Sequence, residues 1–183
     1  FVVKFDTDLY KEKKIINAIK DFNADICILF GVPIINENLI KILPYNTLNI
    51  HMGLSPYYRG SSCNFWALYD RNPSYVGATI HHLSRGLDSG DILFHCIPKL
   101  HNKDSSFDFT MRSVLVAQKA LVSAVNDKSI FSCSFVKQNK IKELRYTKNK
   151  DFTDQIAKEF LDRNLQLHAE SFSYPELLNP IFG

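Results

Sequence analysis

Asn49 and His51 stand two residues apart at the end of the apolar run "TLNIH", and Asp88 follows thirty-seven residues after His51 within "RGLDSGD". Side chains two apart on a strand project from the same face, and in open α/β sheets ligands gather beyond the carboxyl ends of the strands. An amide donor, an imidazole and a carboxylate brought together could stabilise an oxyanion and move a proton. Each residue also has a plainer use. A histidine at a strand end is commonly just a polar terminus, and an aspartate in a glycine-rich turn commonly folds back on its own backbone. Arg59 and the serines after it could simply fix a helix N-terminus. Singly, none of them establishes a site.

The elements that must position these residues alternate between strand and helix. Asp6 or Asp8 can cap a helix over about 8–22, with Ile15, Ile16, Ile19 and Phe22 at helical spacing. "FVVKF" before it reads as a strand. "DICILFG" (25–31) is a continuous apolar run closed by Gly31 and Pro33, which predicts a strand buried on both faces. A brief helix (36–42), Pro44 and the strand "TLNIH" follow, the pattern of a parallel α/β sheet. "SSCNFWALYD" predicts a helix capped by Ser61 or Ser62, with Phe65, Leu68 and Tyr69 on one stripe. "YVGATIHHL" alternates as a strand, with Thr79 and His81 opposite in sense to Ala78 and Ile80. Gly86 and Gly90 release the backbone of the next turn, which leads into "DILFHCI". Ser105 with Asp108 forms a capping-box variant opening the longest helix, 105–126. "IFSCSFV" reads as a strand and "DFTDQIAKEFLDRN" as a last helix. The chain shows neither an internal repeat nor a low-complexity segment.

Composition bounds the class. The 183 residues are 45% hydrophobic and 22% charged, an ordinary globular balance sufficient for one core. A net charge of +3 is too mild to argue for nucleic acid, and "KEKK" reads as a solvated helix face. No apolar run is long enough to span a bilayer and no secretory signal is visible. The four cysteines, Cys27, Cys63, Cys96 and Cys133, are more than thirty residues apart, so no local zinc pattern exists. Cys27 reads as a buried small hydrophobe, and a reducing cytoplasm is the expected compartment.

Together the segments resemble the folate-dependent formyltransferase family. "LNIHMGLSPYYRG" is similar to its N-x-H-x-S/G-L-x-P-x-x-R-G segment, and "VGATIHHLSRGLDSGDIL" to its G-x-T-(I/V)-H…x-D-x-G-x-I segment. The likeness covers about residues 22–100, with weaker support through 105–126. It implies a Rossmann-like, open, mostly parallel twisted α/β sheet with helices on both faces. Asn49, His51 and Asp88 match the family's catalytic asparagine, histidine and aspartate. His81 matches a histidine of part of the family, and either supports the site or merely packs. The formyl donor would be N10-formyltetrahydrofolate, its pterin held mainly by backbone near Phe30, Gly31, Val32, Pro33 and Ile34 and near Ser84, Arg85, Gly86 and Leu87. Asn49 and protonated His51 would donate to the formyl oxygen while Asp88 orients His51 and relays a proton. No metal is implied.

The departures are informative. Family members open with a strand and glycine-rich loop that is not found before Phe1, so ~50 residues are expected to be missing, scaled from a βαβ unit of roughly 30 or more. Gly53 stands where many relatives have serine. The phrase around "SPYYRGSS" is closest in flavour to enzymes acting on sugar amines, and the tail after 126 is too short for the added barrel of methionyl-tRNA formyltransferases. The expectation is therefore a catalytic domain over 1–135 with an extension over 136–183, transferring formyl to a small amine, an amino sugar of a nucleotide-linked sugar. A homodimer stays open, and no nucleic acid or membrane partner is expected. Tyr57, Tyr58, Phe65 and Trp66 would wall the site against water, with Phe65 or Trp66 instead packing its helix. The alternatives are a methionyl-tRNA or glycinamide ribonucleotide formyltransferase, a formyltetrahydrofolate hydrolase, or a non-catalytic folate-binding domain.

Overall fold

The computed structural model describes residues 13–183, with side chains from residue 16 onward. The strand expected at "FVVKF", the caps Asp6 and Asp8, and the first half of "KEKK" lie outside the described residues. The chain runs α1 (Lys13–Phe22), β1 (Ile26–Phe30), α2 (Glu37–Ile40), β2 (Asn46–His51), β3 (Tyr58–Gly60), α3 (Cys63–Tyr69), β4 (Ala78–His82) and β5 (Ile92–Ile97). It continues through α4 (Ser106–Asn126), β6 (Arg145–Thr147), α5 (Asp154–Asp162) and β7 (Ile181–Phe182).

Five strands form one open sheet in the order β1-β2-β4-β5-β7. β1 pairs parallel with β2 and β5 with β7, whereas β4 is antiparallel to both β2 and β5. Four strands therefore point one way and β4 alone reverses, which is the mostly parallel α/β sheet expected from the sequence. The β2–β4 register sets Asn49 opposite His81 and His51 opposite Thr79, so these four residues share one face. Leu48, Ile50, Ala78 and Ile80 occupy the other, buried with Ala117, Ala120 and Leu121 of α4. Full burial of each leucine or isoleucine among them is worth roughly 1.5–3 kcal/mol. Ser105 accepts from the Asp108 amide and Asp108 reciprocates, completing the expected capping box at the start of α4.

Several expectations are corrected. β1 is not buried on both faces: it is an edge of the described sheet, Ile28 and Phe30 are exposed by 43% and 42%, and Cys27 is only half-buried. "IFSCSFV" holds a short 3-10 turn (Ser129–Phe131) and a single bridge from Val136 to Ile92 instead of a strand. Ser62 sits at the N-cap of α3 with φ of 56° and makes no capping bond, and Ser61 turns to Asn149 instead. The last helix is α5, capped by Thr153.

Residues 136–183 are woven into the rest. β6 pairs with β3 and β7 with β5. Ile156, Phe160, Leu165, Leu167, Phe172 and Leu177 pack on a second buried cluster built around Leu54, Tyr58, Trp66 and Phe109. Arg145 forms a fork of two hydrogen bonds with Asp70 at 2.8 and 2.6 Å. Among the described residues no helix is long and apolar enough to cross a membrane.

Candidate active site

β2 delivers Asn49 and His51 to the face opposite α4, and the loop after β4 must deliver Asp88. β4 ends at His82, opposite Leu48, so the loop leaves the sheet behind the site and folds back over this face. Asp88 arrives in the left-handed backbone region, φ 46°, and is the turn's residue of unusual conformation. Gly86 and Gly90 have no positive φ, contrary to the expectation for them. Gly90 is required for another reason: a Cβ there would collide with the His82 carbonyl oxygen.

The three expected residues meet. His51 Nδ1 lies 3.3 Å from Asp88 Oδ1, with His51 only 5% exposed. Asn49 Nδ2 donates to the same oxygen at 3.5 Å. The Gly60 amide donates to Asp88 Oδ2 at 3.3 Å. His51 Nε2 is 3.1 Å from the Tyr58 carbonyl, which can only accept, so this nitrogen carries a proton. With a carboxylate facing Nδ1 as well, the ring is arranged as an imidazolium. Burial alone would drive it neutral, but neighbouring Cys63 and the Asp88 carboxylate outweigh that and hold its pKa well above the usual histidine value. Burial likewise opposes the Asp88 charge, and the hydrogen bond from His51 overcomes it, holding the carboxyl far below its ordinary range.

His81 belongs to the site and does not merely pack. Its Nδ1–H donates to the His82 carbonyl at 2.7 Å, which leaves Nε2 to accept from Asn49 Nδ2 at 3.2 Å. A register shift between β4 and β5 falls between Ile80 and His81, and such bulges re-aim side chains beside functional sites. Thr79, which sequence reasoning passed over, pins the turn after His51: its hydroxyl donates to the Gly53 carbonyl at 2.6 Å and accepts from the Ser55 amide at 2.9 Å. Its position opposite His51 is the signal that could have found it. Gly53 packs on the His51 ring, since a Cβ there would lie 2.7 Å from His51 Nε2 and collide with Cys63. Arg59 does not fix a helix; its guanidinium reaches the loop carbonyls of Leu87 and Asp88.

A cleft beside the triad is lined by Val32, Pro33, Ile34 and Ile35 from the segment after β1, by Asn49 and His81, and by Leu83 through Asp88. Both backbone stretches expected to hold a cofactor thus converge on one opening, although Phe30 and Gly31 fall outside its lining. A larger hollow of about 1230 Å³ opens between α3, the start of α4 and the segment around α5. It comes near Asn49, His51 and Asp88 only through Met52 and Cys63, whereas the smaller cleft is lined by Asn49 and Asp88 themselves. Phe65 lines the hollow, while Tyr57, Tyr58 and Trp66 are buried in the second cluster and build no wall against water. All four cysteines are free.

The sequence matches the model of a family described as formyl transferase over residues 4–125. It is 29% identical over 173 residues to a methionyl-tRNA formyltransferase of Lachnospira eligens, covering 90% of this chain and 54% of that protein. A methionyl-tRNA formyltransferase of Prochlorococcus marinus is 29% identical over 140 residues, 73% of this chain and 42% of the relative. The chain spans about half the length of these curated relatives. Among solved structures, the formyltransferase PseJ of Anoxybacillus kamchatkensis, in complex with UDP-4,6-dideoxy-4-formamido-L-AltNAc and tetrahydrofolate, superposes with a TM-score of 0.64 at 21% identity, covering 96% of this chain and 82% of that one. A 4-N formyltransferase of Francisella tularensis gives 0.61 at 21% identity, covering 93% and 69%.

Proposed function

The chain belongs to the formyl transferase family, and from that premise we propose that it catalyses transfer of a formyl group from N10-formyltetrahydrofolate to a primary amine. The observation that carries the reading is the convergence of Asn49, His51 and Asp88, with Asn49 and Asp88 lining a cleft whose remaining walls are His81 and the two stretches 32–35 and 83–87, and His51 buried directly behind Asp88. The chemistry of the cleft's lining suits a flat heteroaromatic ring: Val32, Pro33, Ile34 and Leu87 offer apolar walls, and the loop backbone offers polar groups for the ring's edge. When bound, the folate would supply an activated formyl group open to attack by an amine nitrogen.

The chain's own residues would then act as follows. The Asn49 Nδ2–H directed at Asp88 spans 3.5 Å, the longest bond in the site, and is the donor most readily redirected to an oxygen gaining negative charge. One such donor contributes roughly 3 kcal/mol in comparable sites. His51 has both nitrogens engaged, by Tyr58 and Asp88, so it contributes its positive charge more than a free N–H. Asp88 keeps that charge in place and can take the proton released by the attacking amine and pass it, by way of water, to the folate nitrogen that departs as its bond to the formyl carbon breaks.

For the acceptor we propose an amino sugar carried on a nucleotide. Support comes from likeness to PseJ, whose complex holds such a product and of which this chain covers 82%. The deciding experiment incubates the protein with N10-formyltetrahydrofolate and, in separate arms, nucleotide-linked amino sugars, methionyl-tRNA or no acceptor. A mass gain of one formyl group on the sugar supports the reading. Formylation of methionyl-tRNA alone reassigns the acceptor, and fast release of formate without any amine makes the protein a hydrolase.

A further inference from the structure

We propose that residues 136–147 form a clamp holding the Asp88 turn over the catalytic face, with Gln138 and Arg59 as its positioning residues. Gln138 spends its side-chain NH2 group on this turn: Nε2 donates to the carbonyls of Asp88 at 2.9 Å and Gly90 at 2.7 Å. Arg59, 8% exposed, approaches from the other side and donates to Asp88 O at 3.3 Å and Leu87 O at 2.9 Å. The Asp88 carbonyl thus has both of its lone pairs occupied. Arg59 is itself held by Glu143, at 2.7 Å, which also balances the charge it brings into a buried position.

The clamp is anchored at both ends. Val136 exchanges two backbone hydrogen bonds with Ile92, directly after the turn, and the Leu144 and Arg145 amides both donate to the Tyr57 carbonyl. β6 then pairs with β3, which carries Arg59. Within the nine-residue turn between β4 and β5, Asp88 sits at φ 46°, a backbone conformation that costs a non-glycine residue energy and persists where surrounding contacts fix it. The carbonyls that Gln138 and Arg59 capture are those on and beside that residue. The consequence is chemical: the Asp88 carboxylate stays 3.3 Å from His51 only while the turn is held.

This inference rests on the reading of His51 and Asp88 as the reacting pair, and a titration separates the two. The ionisable groups around His51 are Asp88 on the turn, Cys63 at the start of α3 and His81 on β4. Gln138 bonds to none of their side chains, so it can influence His51 only through the turn. Gln138→Met keeps the side chain's bulk and removes both donors. Its His51 imidazole is followed by NMR against pH, the signal identified by its loss in His51→Gln, and kcat, KM and melting temperature are measured in parallel. The expected result is a near-normal melt, a His51 midpoint lowered by about half a pH unit or more, and kcat reduced about tenfold with its basic limb displaced to lower pH. Glu143→Gln, which loosens Arg59 and leaves Gln138 intact, should shift His51 the same way by less, and decides the matter if Gln138→Met does not fold. An unchanged His51 midpoint in a folded variant overturns the clamp whatever the activity. A lowered midpoint in a protein whose wild type formylates no amine upholds the clamp and overturns the proposed function.

Discussion

At the scale of residues, the site is a buried ion pair with a donor beside it, and its stability has a pH window with a definite sign. Asp88 has a depressed pKa, so its contribution is present above the ordinary carboxylate value and lost as pH falls through the depressed one. His51 has a raised pKa, so its contribution is present below the ordinary imidazole value and lost as pH rises through the raised one. Both conditions hold between roughly pH 4 and 6.5. Thermal melts of Asp88→Asn against wild type should differ most in that interval and converge on either side. Turnover should fall at least ~100-fold in Asn49→Ala, His51→Ala and Asp88→Asn alike, with pairs losing far less than the product of the single losses, because all three act on one transition state. Steady-state kinetics on the double variants check this. Gly53→Ala places a methyl against His51 and Cys63 and should cost about 1–3 kcal/mol by overpacking, read from denaturant melts.

At the scale of elements, each was legible where local chemistry alone specifies it. α4 begins where Ser105 and Asp108 satisfy one another's backbone, and its apolar stripe finds the Leu48/Ile50 face of the sheet. Ser105→Ala should therefore lower stability by about 1 kcal/mol, seen as a fall in melting temperature, and the double variant with Asp108→Ala should add little. β2 and β4 were legible from their apolar runs, and their antiparallel register explains why His81 faces Asn49. "IFSCSFV" shows the limit of such reading. It has the composition of a strand, yet only Val136 reaches a partner, because Ile92 is the sole residue of β5 whose backbone it meets. α3 is the converse case: serines stand at its start, but Ser62 takes a left-handed conformation and caps nothing.

At the scale of the whole molecule, the stretch 136–183 is structural cement. It supplies β6 and β7, the apolar cover of the Trp66 cluster, and Leu178, whose amide donates to Nδ1 of buried His95 while His95 Nε2 donates to the Ser55 carbonyl. A chain ending at 135 should lose its cooperative melt and bind apolar dyes, measured by circular dichroism and dye fluorescence, since Tyr57, Trp66 and Phe109 would lose their cover. The sequence alone marks the candidate residues and the strand bearing two of them: type and two-residue spacing place Asn49 and His51 on one face, and apolar runs mark where strands must be buried. What holds Asp88 against them comes from tertiary contacts. Its loop folds back from the far end of β4, and the groups that fix it, Arg59, Gly60, Gln138 and Glu143, are up to eighty-four positions apart. Apart from the Arg59–Glu143 pair, each of these bonds uses a backbone carbonyl or amide, which every residue possesses, so no local pattern of side chains announces them; they follow from the packing of the 136–147 segment and β3 around the turn.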